Sequence, residues 1–121
     1  MNTLKFETET IKRFYGDSTE DIIDILNQYL SSKEEMLNSL CTSFVAGPAE
    51  LHNSLHFHSS VFTYVGFPQL SQDFIEFENE CKTSSTNKFL ELRFNNLLGK
   101  IMESTVIARQ ELERLEKLCS C

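Results

Sequence analysis

The chain has 121 residues and a mass of 14.0 kDa, with 40% hydrophobic and 24% charged residues and a net charge of −7. That length suits a single domain, residues 1–121, whose core is large enough to fold without disulfides or a metal. The acidic balance argues against nucleic acid and anionic membrane surfaces as partners, because neither would release counterions to it. No run approaches the roughly 18 unbroken apolar residues of a membrane span, and the opening MNTLKFETET has no secretory hydrophobic region. The expected compartment is therefore the cytoplasm, with Cys41, Cys81, Cys119 and Cys121 as reduced thiols. Cys119-Ser-Cys121 at a fraying end makes a poor metal site.

Four Gly and two Pro favour a few long helices over a many-stranded sheet. Glu7 to Tyr15 reads as a short leading helix before Gly16. Next, Asp17-Ser18-Thr19 starts a long helix, with Ser18/Asp21 or Asp17/Glu20 as a capping-box-like pair. Its apolar positions step by three and four through Ile22, Leu26, Tyr29, Lys33, Leu37, Leu40 and Phe44, with the Lys33 stem lying along the seam. Gly47-Pro48 ends it and opens a third stretch with the stripe Leu51, Leu55, His58, Phe62 and Val65. Gly66-Phe67-Pro68 opens the next, with Leu70, Phe74, Phe77 and Cys81 facing inward and Ile75 alongside. A run of capping residues, Thr83-Ser84-Ser85-Thr86-Asn87, precedes a last helix of more than 30 residues. That helix carries Phe89/Leu90, Phe94, Leu97/Leu98, Ile101, Val106, Leu112 and Leu115, with Gly99 marking a bend or a close contact. The prediction is an all-α fold, an antiparallel up-down four-helix bundle with a short extra N-terminal helix. Such a fold says nothing about function by itself.

Function must come from the histidines, all of which fall in Leu51-His52-Asn53-Ser54-Leu55-His56-Phe57-His58. At 100° per residue His58 continues the apolar stripe, whereas His56 shares a polar face with His52, Ser59, Ser60 and Thr63. Small hydroxylated neighbours leave the His56 imidazole open to a reaction partner. Composition alone would make it an incidental surface histidine.

The segment LHFHSSVFTYVGFPQL resembles the signature of histidine-containing phosphotransfer (Hpt) domains, in which a histidine is followed by Leu, Lys, Gly and Ser and, ten residues on, by Gly. Aligning on Gly66 makes His56 the phosphoacceptor and matches Val65 and Leu70 to hydrophobic positions of the pattern. IKRFYGDSTEDIIDILNQYL, VAGPAELHNSL and FIEFENEC extend the likeness over residues 11 to 85. The sequence departs from the pattern at His58 for Leu, Ser59 for Lys and Ser60 for Gly, the last a swap that free-standing members resembling this chain also carry. No Lys or Arg occurs between Lys33 and Lys82, so a substitute cation must come from another helix, Lys33 for instance.

The resemblance implies a monomeric, free-standing phosphorelay intermediate without autonomous catalysis. It would take a phosphoryl group from a receiver-domain aspartate fed by a hybrid sensor kinase and pass it to another response regulator. No cofactor is expected on this chain, the Mg²⁺ belonging to the receiver. Docking would use His52, Phe57, Ser59, Ser60 and Thr63, with Phe57 as the anchor, and Met36 and Tyr29 either join that patch or belong to the core. Two alternatives stand beside it. One is an adaptor of the same fold that binds receivers without accepting phosphate, favoured by Ser59 in place of Lys. The other is a metal-binding bundle built on the His52/His56 pair, weakened by the absence of paired Glu-x-x-His motifs.

Overall fold

The computed structural model describes residues 4–83 and 87–119, with the backbone alone for 87 and 119. Residues 84–86 of the expected capping run, and the Cys119 and Cys121 thiols, lie outside the described residues. Among those described the chain is all-helical, with no strand. The helices are α1 (Thr8–Tyr15), α2 (Thr19–Ala46), α3 (Pro48–Ser59), α4 (Val61–Tyr64), α5 (Pro68–Thr83) and α6 (Asn87–Cys119).

Local chemistry sets most of the boundaries. Ser18 is the N-cap of α2, its Oγ accepting from the Asp21 N–H at 3.3 Å, so the first of the two predicted caps is used. Gly47 (φ 135°) separates α2 from α3 and Pro48 begins α3, where its missing N–H costs nothing. The stretch read as one helix from Pro48 to Val65 is divided at Ser60. There the Ser71 hydroxyl donates to the Ser59 carbonyl at 2.6 Å, giving that backbone acceptor a partner from α5. The next turn tightens, Thr63 N–H reaching back to the Ser60 carbonyl at 3.1 Å.

Pairs of contacts fix the directions of the long helices. Ser59 meets Ser71 while His56 meets Glu78, so α3 and α5 are antiparallel. Tyr29–Ser104 and Phe44–Phe94 do the same for α2 and α6, and Asp73–Lys100 with Glu80–Arg93 for α5 and α6. The core is rich in aromatic rings: Phe62, Phe67, Phe74 and Phe77 are almost wholly buried, each contributing about 2–3 kcal/mol. Phe62 packs on Phe74 with centroids 4.7 Å apart, and Tyr29 meets its edge at 5.9 Å.

The inner face of α6 differs from the one predicted. Val106 is 56% exposed, and Ser104, Thr105 and Ala108 face inward between Ile101 and Leu112. The bulky Tyr29 explains it. Ser104 donates its hydroxyl to the Ile101 carbonyl at 2.6 Å, so the Tyr29 hydroxyl donates to Ser104 Oγ at 2.5 Å. Burial raises the Tyr29 phenol to about 12, against the smaller opposing effect of that bond. On α2 the inward position after Tyr29 belongs to Met36, while Lys33 and Leu37 are half-buried; Ile75 of α5 is exposed.

The last helix runs unbroken past Gly99, and a Cβ there would meet nothing within 4 Å, so no close contact requires the glycine. Gly99→Ala should therefore stabilise the protein by about 0.5–1 kcal/mol, read as a higher urea midpoint at unchanged m-value.

Candidate functional site

The three histidines are sorted onto different surroundings. His56 has 76% of its side chain exposed, and its Nδ1 lies 3.2 Å from Oε1 of Glu78 on α5. Glu78 is only 13% exposed, and its second oxygen, Oε2, stands 3.5 Å from Nε2 of His52. One carboxylate thus spans two imidazoles a helical turn apart. With Nδ1–H donating to Glu78, the Nε2 lone pair of His56 is left for chemistry.

Glu78 is the member of this histidine cluster that the sequence reading missed. A signal was there: Phe67, in the turn before α5, stands midway in sequence between His56 and Glu78, so antiparallel pairing about that turn brings them together. Two other carboxylates of α5 are engaged by α6, Asp73 with Lys100 at 2.8 Å and Glu80 with Arg93 at 2.7 Å, and Glu76 is exposed. Arg93 also lies over the Phe77 ring, 5.5 Å from its centroid. Glu78 remains for the histidines.

The predicted docking residues do not form one patch. Ser59 is half-buried, its hydroxyl donating to the His56 carbonyl at 3.1 Å and tying down the last turn of α3. Ser60 is exposed at the break, and Thr63 lies half-buried on α4. Phe57 is 78% exposed but turns away from the His56 face. It borders a groove of about 380 Å³ between α2 and α3 with Tyr29, Met36, His58 and Val61. Tyr29 and Met36 are buried core residues whose edges also line this groove. A surface that covers both His56 and the groove must straddle the outer ridge of α3.

His58 lies at the margin, its Nε2 3.5 Å from the Ser39 hydroxyl and its ring edge-on to Phe57. Burial lowers its pKa below the ordinary 6.5 because the charged form is poorly solvated there. The unfolded chain then binds this proton more readily than the folded one. The stability His58 brings is whole above about pH 6.5 and is lost as pH falls through the lowered folded value. His58→Leu should flatten the loss of stability below pH 6.5, measured as urea midpoints between pH 5 and 7.5.

The other groups offer less. Lys33 is half-buried on α2 and forms no hydrogen bond or ion pair among the described residues. Cys41 is exposed; Cys81 is buried, and desolvation followed by the nearby Glu80 and Glu78 charges raises its thiol to about 11. Among the described residues no three His, Cys, Asp or Glu side chains are arranged to hold a metal ion. No described helix is long and apolar enough to cross a membrane.

No protein-family model matches this chain, and no curated protein and no solved structure is significantly similar to it.

Proposed function

We propose that the chain is a histidine phosphotransfer protein, α2, α3 with α4, α5 and α6 forming an up-down four-helix bundle and α1 its extra N-terminal helix. His56 is the phosphoacceptor, loaded from a receiver-domain aspartyl phosphate and unloaded onto another receiver. The observation that carries this reading is an exposed imidazole whose inner nitrogen is held by a largely sheltered carboxylate on the neighbouring helix α5.

The chemistry asks little of this chain. The Nε2 lone pair forms a bond to phosphorus, the bond from phosphorus to the aspartate oxygen breaks, and its electron pair leaves with the carboxylate. The Nδ1 proton stays on the ring, so the phosphorylated imidazole gains positive charge beside Glu78. The receiver contributes the Mg²⁺ and the positive groups that steady the loose transition state. Docking straddles the outer ridge of α3, from the acceptor with His52, Ser59, Ser60 and Thr63 around it to the groove on the far side, where Phe57 is the exposed aromatic anchor. We place the protein in the cytoplasm as a monomer that serves a hybrid kinase and its response regulators.

One observation favours a second reading. The stretch from residue 34 to 81 has no Lys or Arg, so nothing cationic on α3 would hold a bound phosphoryl group. An adaptor that binds receivers without turnover would share every other feature. Incubation with a receiver phosphorylated on aspartate separates the two. Acid-labile, base-stable label on this chain supports transfer, and complex formation without label supports the adaptor.

A further inference from the structure

The geometry around Glu78 gives His52 a task of its own. Its Nε2 has essentially no solvent contact and no hydrogen bond of good geometry, yet faces Glu78 Oε2 at 3.5 Å. Its Nδ1 stands 3.4 Å from Oδ1 of the Asn53 side-chain amide, and a half-turn of that amide presents its N–H to Nδ1 instead, the arrangement that leaves the ring proton on Nε2. A glutamate on a flexible stem, mostly out of water, keeps its place only while both oxygens have donors nearby.

We propose that His52 is a positioning residue: as its Nε2–H tautomer it holds the far oxygen of Glu78, and through that carboxylate it keeps His56 in the Nδ1–H form with Nε2 directed outward. Free histidine side chains prefer the opposite tautomer, with the proton on Nε2, which has no lone pair there to attack phosphorus. The contact therefore selects the reactive form of His56. It tightens as transfer proceeds, because positive charge gathers on the His56 ring and draws Glu78 toward it. The purpose rests on the phosphotransfer reading; the tautomer does not.

The test is long-range ¹H–¹⁵N correlation of the imidazole rings in the full chain, alongside the rate of loading from a phosphorylated receiver. In the wild type His56 should be mainly Nδ1–H and His52 Nε2–H. Glu78→Ala should turn His56 to the Nε2–H form. His52→Leu should shift His56 the same way and slow loading by about tenfold, as when the hydrogen-bonded support of a reactive group is removed. His52→Gln, whose amide N–H reaches the same oxygen, should restore both. An unchanged His56 tautomer in His52→Leu overturns the proposal, as does an Nδ1–H form of His52 in the wild type, a measurement that needs no variant to fold. A wild type with the expected tautomers that takes no label overturns the phosphorelay reading and leaves this one standing.

Discussion

Incubated with a receiver domain phosphorylated on aspartate, the His56→Gln variant should take up no label, while His58→Gln loads at close to the wild-type level. Glutamine fills the volume of the imidazole and still donates a hydrogen bond toward Glu78, so the helix and its packing survive. It has no nitrogen lone pair able to form a bond to phosphorus, and the loss should be complete within the assay. His58 differs by place, since its ring lies half-buried against Phe57 and Ser39, on another side of α3 from the open imidazole. Unchanged circular dichroism and urea midpoint for His56→Gln would show that the chemistry and not the fold was removed. Label that persists in His56→Gln and disappears in His58→Gln would mean that the acceptor is the wrong histidine.

The second large effect concerns stability. Gly66→Ala should destabilise the protein by about 2–3 kcal/mol, seen as a lower urea midpoint without change of m-value. Gly66 has a φ of 95°, where a Cβ is strained, and the added carbon would stand 2.7 Å from Phe6 Cε1 and 3.0 Å from Ile11 Cδ1. The Gly66 carbonyl also accepts from the Glu7 N–H at 2.7 Å, so the turn is where the segment before α1 is pinned to the body. In Phe6→Ala the ring is gone, and Gly66→Ala made in that background should cost about 1 kcal/mol less. Equal costs in both backgrounds would mean that backbone strain and the Ile11 contact, and not the Phe6 ring, account for the glycine. This turn is the position on which the Hpt-like pattern aligns, so the glycine of the pattern has here a structural cause and not a chemical one.

Some of this was readable before any coordinates. Ser18 capping α2, Pro48 and Pro68 at helix starts, and the Leu51, Leu55, Phe62, Val65 stripe follow from local rules of capping and periodicity. The rules failed where a distant side chain changed the local requirement. Ser104 and Thr105 look like surface residues of α6, yet they face inward because Tyr29 brings a hydroxyl that needs a partner and a ring that needs space. Ser60 divides what periodicity reads as one helix because Ser71, from α5, takes the Ser59 carbonyl. Sequence adjacency places Phe57 with His56, but 100° of rotation and the presence of α2 put it in a groove with Met36 and Val61.

The amino-acid order by itself determined that the chain is helical, where most of its helices begin, and which histidine lies on a polar face, since each depends on residues within a few positions of one another. Only the tertiary structure decided what that histidine is bonded to. Glu78 lies more than twenty residues away, and a carboxylate finds an imidazole at that separation only after two helices have packed side by side.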